Sequence, residues 1–354
     1  MTNEALRDPV IFDGHNDLIL RMITGKATAS ALREGCIDGH IDLPRARHGG
    51  FAGGFFAIFV PGPGETSIRM EEFLKPAYDL PLPPPVDHAT ALEVTRQGFA
   101  AAEALHREGV IEICTDVDAL EAAMAGPAMA AVLHIEGAEA IGPDLAELEE
   151  FHRLGLRSLG PVWSRPTIFG DGVPFRYPSD PDTGPGLTEA GTRLVKECNR
   201  LKILVDLSHL NAKGFDDVAR LSTAPLVATH SNAWKICPHA RNLTDRQLEM
   251  IAESDGMVGI NLATGFLRPD GQMAPDMSLD LLLRHLGHLI AKLGEDRVGF
   301  GSDFDGAIVP EAIGDCAGLP NLRRALRESG INDRLMTKLC HGNWMRVLRR
   351  TWES

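Results

Sequence analysis

The sequence predicts an α/β chain folded as a (β/α)8 TIM barrel with loops inserted over its C-terminal face. Three observations predict it. Eight short apolar runs alternate with longer amphipathic stretches, as parallel strands linked by helices do. Five of those runs close on His, Asp or Glu, and a barrel gathers its strand ends at one mouth. Two irregular insertions, residues 61–86 and 164–186, each follow a strand end, where loops shape a pocket.

The predicted strands are residues 10–17, 53–60, 130–136, 156–163, 203–209, 225–231, 257–263 and 297–303. The predicted helices carry their own punctuation. Residues 87–108 open on Asp87, 187–202 on Thr188 and 243–256 on Thr244, side chains that cap free N–H groups. The stretch 243–256 closes on Gly256 and 277–294 on Gly294, as helices that end in left-handed backbone do. The competing architecture is an open doubly wound sheet. No glycine-rich fingerprint follows the first strand, which argues against a dinucleotide fold. No repeat and no domain-sized linker interrupts residues 1–354, so one domain is expected.

Composition narrows the function. The chain has 354 residues, 44% hydrophobic and 24% charged, enough for a large core and unlike a disordered chain. Its formal charge is −14 with no block of Lys or Arg, which argues against nucleic acid and anionic membranes as partners. No apolar run reaches the ~18 residues that span a bilayer. The start, MTNEALRDPV, lacks a basic region followed by an apolar run. The end, RRTWES, lacks a hydrophobic tail. Cys36, Cys114, Cys198, Cys237, Cys316 and Cys340 form no Cys-x-x-Cys pair and read as reduced thiols. A cytoplasmic protein is expected.

The chemistry lies at the strand ends. Asp13, His15 and Asp17 close the first strand, Glu136 the third, His209 the fifth, His230 the sixth and Asp303 the eighth. Side chains two apart on a strand share a face, so His15 and Asp17 could hold one cation. Gly299 and Gly301 have the parity of Asp303, and Ala228 that of His230; small residues there leave a polar tip room to point inward. Singly, each signal has a plainer explanation. A lone strand histidine is usually a hydrogen-bonded core residue, Glu136 fits an ion pair, and Asp303 in SDFDG fits a turn. Jointly they do not, because five unmatched buried polar tips would each be costly. Imidazole plus carboxylate without thiolate suits zinc, then manganese, iron or cobalt. Five ligands exceed one tetrahedral site and suit two ions ~3.5–4 Å apart that share a carboxylate.

The runs DGHNDL (13–18), IEG (135–137), SH (208–209), THS (229–231), RN (241–242) and GSDFDG (301–306) resemble the membrane (renal) dipeptidase family. This is peptidase family M19, within the amidohydrolase superfamily of metal-dependent barrels. The resemblance spans residues 11–306 and implies a zinc-dependent dipeptidase. It implies that His15 and Asp17 hold one zinc ion, that Glu136 bridges two, and that His209 and His230 hold the second. Arg241 would meet the substrate near its C-terminal carboxylate or scissile carbonyl, and Asp303 would be the general acid/base. A homodimer and short peptide substrates, L-Xaa-D-Xaa included, are also implied.

One departure bears on the substrate. The family commonly has a substrate-contacting histidine at the end of the fourth strand, where GPVWSRP places Trp163. An indole packs and donates one hydrogen bond but accepts none. Arg165 beside it reads as a solvated loop residue. His134 reads as a core histidine, His239 as a loop residue, and Asp13 as a ligand-orienting or turn residue. His40, His48, His88, His106, His152, His285, His288 and His341 need no special role.

Two rivals remain at this stage. One is a metal-dependent amidohydrolase on another small amide, lactam, lactone or phosphoester. The other is a non-catalytic barrel that only binds. Many amidohydrolase relatives bridge their ions with a modified lysine on the fourth strand. Residues 156–163 hold no lysine, Glu136 is available instead, and all five ligand positions are filled, which favours the dipeptidase.

Overall fold

A computed structural model describes residues 8–36, 38–62 and 70–353. The first seven residues, part of the start read above for a signal sequence, and residues 63–69 of the first insertion lie outside that description. Eight parallel strands form the barrel: β1 Ile11–Asn16, β2 Phe51–Phe59, β3 Met129–Glu136, β4 Leu156–Gly160, β5 Leu204–Val205, β6 Val227–Ala228, β7 Met257–Asn261 and β8 Val298–Gly301. They pair in the order β5-β4-β3-β2-β1-β8-β7-β6. A parallel bridge between Asp206 and Val227, with the Leu207 N–H donating to the Val227 carbonyl at 2.9 Å, joins the two ends into a ring. A short strand, Ile111–Ile113, pairs with β3 outside the ring.

All eight predicted strands are present, but regular pairing stops earlier. β5 and β6 keep two residues each, so His209, His230 and Asp303 sit beyond the strands proper. His209 and Asp303 adopt left-handed backbone, with φ 68° and 60°. That is strained for a residue with a side chain and is typical of functional positions.

Alternation sorts the strand residues into two layers. Phe12, Phe55, Val132, Leu204, Val227 and Met257 cluster around Trp344. Ile11, Phe56, Leu133, Val205, Ala228 and Val258 pack in the layer beneath the helices. Trp344 comes from the helix Asn343–Trp352, is fully buried, and donates its indole N–H to the Phe300 carbonyl at 3.0 Å. It plugs the end of the barrel opposite the site.

This plug revises the reading of the small residues. A Cβ on Gly299 would lie 2.8 Å from the Trp344 indole nitrogen, and one on Gly301 would lie 2.0 Å from the Thr229 carbonyl oxygen. Those glycines make room for an indole and a backbone carbonyl rather than for Asp303. Ala228 faces the outer layer, so it does not share His230's side; the chain turns inward after leaving β6. β1 breaks alternation too. Its register against β2 shifts between Asp13 and Asn16, a local irregularity of the kind that re-aims side chains, and His15 turns into the barrel.

The predicted helices appear as His88–Arg107, Glu189–Leu201, Asp245–Glu253 and Leu279–Leu293. Asp87 and Thr188 cap the first two, and Thr244 forms a capping box with Gln247 on the third. Gly294 ends the fourth at φ 82°. After the third helix the left-handed residue is Asp255 (φ 55°), not Gly256. Gly256 is needed for space, since a Cβ there would stand 1.9 Å from the Leu226 carbonyl oxygen.

The two insertions meet. Tyr78–Asp79 of the first pairs antiparallel with Arg176–Tyr177 of the second. The Tyr78 hydroxyl donates to the Gly271 carbonyl at 2.7 Å and the Tyr177 hydroxyl to the Pro269 carbonyl at 2.5 Å. Three loops are thereby stitched together over the mouth. All six cysteines are free thiols, five of them buried. Among the described residues no helix is long and apolar enough to cross a membrane.

Candidate metal centre

The strand ends bring His15, Asp17, Glu136, His209, His230 and Asp303 into one buried cluster. Glu136 Oε1 is the hub, 3.1 Å from His209 Nε2, 3.5 Å from His230 Nε2 and 3.6 Å from His15 Nε2. Asp17 Oδ2 lies 3.5 Å from His15 Nε2. Ligand atoms of His15, Glu136 and His230 fall within 4.8 Å of one another, and so do those of His15, Asp17 and Asp303. The two groups overlap at His15.

Hydrogen bonds fix how these side chains present themselves. The Thr229 hydroxyl donates its one hydrogen to Asp206 Oδ2 at 2.5 Å, so it accepts from His230 Nδ1 at 2.8 Å. His230 Nε2 is therefore bare and aimed at the cluster. Asp206 also accepts the Thr229 and Ser208 N–H groups at 2.8 and 3.0 Å, tying β5 to β6. His209 Nδ1 bonds Ser164 Oγ at 2.9 Å, leaving its Nε2 only 3.2 Å from His230 Nε2. His15 is fully buried with both ring nitrogens unbonded, and its ring stacks on His230 at 3.9 Å.

The electrostatics ask for a cation. Burial, helped by His15 and Arg241, holds His209 and His230 well below the usual imidazole range, in the neutral form that ligates metal. Burial lowers His15 as well, but Glu136, Asp17 and Asp303 outweigh it and lift it to about 10. Burial raises Glu136 well above the carboxylate range, and Asp17 and Asp303 add to the rise. Crowded acids facing bare or unbonded imidazole nitrogens, with no thiolate, fit a divalent ion of zinc type.

Asp303 stands at the rim. Its Oδ2 accepts from Asn261 Nδ2 at 2.9 Å. A Cβ on Gly306 would lie 2.6 Å from Asp303 Oδ1 and 2.2 Å from Asp17 Oδ2, so glycine is what admits both carboxylates. Upstream, Asp13 accepts the Ser302 N–H at 2.6 Å and hydroxyl at 2.7 Å. Downstream, Asp305 and His40 exchange two bonds: His40 N–H to Asp305 Oδ1 at 2.7 Å, and Asp305 N–H to His40 Nδ1 at 2.8 Å. The turn is thus pinned on both sides. Asn261, Asp206, Asp305 and His40 were not singled out from sequence. Asn261 ends the observed β7, two residues before the end of the predicted strand 257–263.

Arg241 is buried, its guanidinium donating to the His230 carbonyl at 3.1 Å and lying 5.5 Å over the Phe266 ring, with Nε unbonded. Trp163 lines a cavity of about 490 Å³ shared with Asp17, Glu136, His209 and Asp303. Arg165 corrects the solvated reading. It is fully buried, bonding Glu139 Oε1 at 2.7 Å and the Val60 carbonyl at 2.9 Å, because a buried guanidinium needs a paired carboxylate. His134 is a core histidine bonded to Ser158 Oγ at 2.9 Å. His239 lies in a loop that is itself buried, its ring 4.6 Å from Phe266.

The chain is similar to known proteins along nearly its whole length. The family described as membrane dipeptidase (peptidase family M19) matches residues 2–353. A crystal structure of a metallo peptidase from Rhodobacter sphaeroides, liganded with a phosphinate mimic of the dipeptide L-Ala-D-Ala, superposes with a TM-score of 0.95 at 54% identity. The match covers 98% of this chain and all of that one. A Klebsiella pneumoniae protein encoded 5′ of pqqA is 49% identical over 208 residues, 59% of this chain and 77% of its own. An Acinetobacter calcoaceticus protein encoded 3′ of PQQ-III is 40% identical over 287 residues, 80% and 90% respectively. The chain belongs to the membrane dipeptidase family, peptidase family M19, and is a metallo-dipeptidase on a (β/α)8 barrel.

Proposed function

We propose that this enzyme hydrolyses the amide bond of dipeptides, L-Xaa-D-Xaa among them, with two zinc ions. His15 and Asp17 would hold one, His209 and His230 the other, and Glu136 both. The convergence of three imidazoles on Glu136 Oε1 carries this reading. The mimic of L-Ala-D-Ala bound by the Rhodobacter protein supports the tolerance for a D residue. The ions supply an acidified water and a Lewis acid for the amide carbonyl.

The chain supplies the rest. Asp303 takes the proton of the attacking water and passes it to the departing amine. Asn261 holds one of its oxygens, so the other faces the reaction. Burial, with Asp17 adding to it, raises the Asp303 carboxyl above its usual range, which suits a group that must both accept and release a proton. Arg241 pairs with the substrate's C-terminal carboxylate, and Trp163 packs on the substrate. The roof of stitched loops limits substrates to short ones. The whole chain, residues 1–354, would act as one domain and as a homodimer. Its free thiols favour the cytoplasm.

Asp303→Asn tests the core of this. Metal content should stay at the parent's value while turnover of L-Ala-D-Ala falls by about a hundredfold or more. Parent-like turnover removes Asp303 from the chemistry.

A further inference from the structure

The two sides of the cavity differ in character. Toward β1 and the turn after β8 it carries the charged groups Asp17, Lys26, Asp303 and Asp305, with the aliphatic Leu20, Ala307 and Ile308 between them. The other side is aromatic and thioether, formed by Phe59, Phe73, Trp163, Phe175, Phe266 and Met273. Its rings touch in series: Phe59 to Trp163 at 5.1 Å, Trp163 to Phe175 at 5.5 Å, and Phe175 stacked on Phe266 at 6.2 Å. Phe73 meets Phe175 edge-on at 5.6 Å.

The wall has a direction. It starts beside the metal cluster, where the Trp163 ring is 5.8 Å from that of His209. It ends at Phe266, under the Arg241 guanidinium. It is also held in place, because Met273 N–H donates to the Phe73 carbonyl at 3.1 Å and two tyrosine hydroxyls fasten the same loop.

We infer that this wall receives the side chain of the substrate's C-terminal residue, and that the enzyme selects dipeptides whose second residue is large and apolar. The inference rests on the proposed function, which places the scissile amide at the metal cluster and the C-terminal carboxylate at Arg241. Between those two points the second residue's side chain lies along the rings. An apolar side chain there sheds water against aromatic faces. A charged one loses its hydration without a partner, because the charged lining residues sit at the cluster or on the opposite side.

The test is kcat/KM for L-Ala-Xaa, with Xaa as Ala, Leu, Phe, Asp and Lys in both configurations, beside Leu-Ala and Phe-Ala. Ala-Leu and Ala-Phe should exceed Ala-Ala by about tenfold or more, which is about 1.4 kcal/mol. Ala-Asp and Ala-Lys should fall below it. Phe175→Ala should bring the Ala-Phe to Ala-Ala ratio toward one. So should Met273→Glu, a change at a half-buried position on the edge of the small cluster of Phe73, Tyr78 and Tyr177, away from the barrel core. A parent ratio at or below one, a preference that follows the first residue, or a ratio unmoved by either substitution overturns the inference and leaves the dipeptidase reading standing. Failure to cleave any dipeptide overturns that reading, and the inference with it.

Discussion

Among the described residues Arg241 has no carboxylate in direct contact, although Asp303, Glu136 and Asp206 act on it from further off. Among the described residues its guanidinium bonds only to the His230 carbonyl and the Ser231 hydroxyl, and its Nε makes no bond. A buried cation in that state has unspent capacity for a carboxylate. Arg241→Ala should raise KM for dipeptides about tenfold or more and change that for C-terminally amidated analogues little. Equal effects on both would place its role elsewhere. The residues that gather at the centre were legible because each ends an apolar run, and barrel geometry makes run ends meet. What fixes them was not legible. Thr229 sets the His230 tautomer only because Asp206 takes its hydrogen, and Arg165 is buried only because Glu139 is. Both facts are pairings across strands, and a residue type cannot announce its partner.

The turn after β8 shows what one element must do. Ser302 is gripped by Asp13 and Asp305 by His40, partners 289 and 265 residues away. Asp303 and Asp305 both take left-handed backbone, at φ 60° and 67°. Held at both flanks, the turn presents Asp303 without freedom to swing. Asp305→Ala should cut kcat about tenfold to a hundredfold, since small misplacements are expensive, with KM and metal content near the parent's. Asp305→Asn keeps an oxygen for the His40 N–H and should restore most of the rate. Loss of metal in the alanine variant would show that the clamp supports ligands instead. His40 was read as needing no role, because nothing near it in sequence points to Asp305. Strand positions were legible from apolar runs. The short pairing of β5 and β6 was not, because the same runs continue past the point where the ring lets go.

At the scale of the whole molecule, buried neutral histidines set the acid limit of stability. Burial holds His285 at about 4, and it is bonded at both nitrogens, to the Ala233 N–H at 3.1 Å and the Leu267 carbonyl at 3.0 Å. The unfolded chain takes that proton near pH 6.5. The folded chain resists until near pH 4. The group's contribution is therefore complete above pH ~6.5 and is lost on acidification toward pH 4, by about 3 kcal/mol at the end of that window. Urea midpoints measured across it should fall, and His285→Gln should make the fall shallower; an unchanged slope excludes His285 as a source. The barrel itself was legible, whereas its plug was not, since Trp344 lies on a C-terminal helix that no strand pattern implies. One more property belongs to the ring as a whole. Its seam is the bridge from Asp206 to Val227 with the Asp206 and Ser208 side-chain bonds beside it, and the segments leaving β5 and β6 there end in His209 and His230. A cation gripped by both histidines would lace the seam shut like a rivet. Chelation should then quicken deuterium uptake at the Leu207 amide well before it disturbs the far side of the barrel.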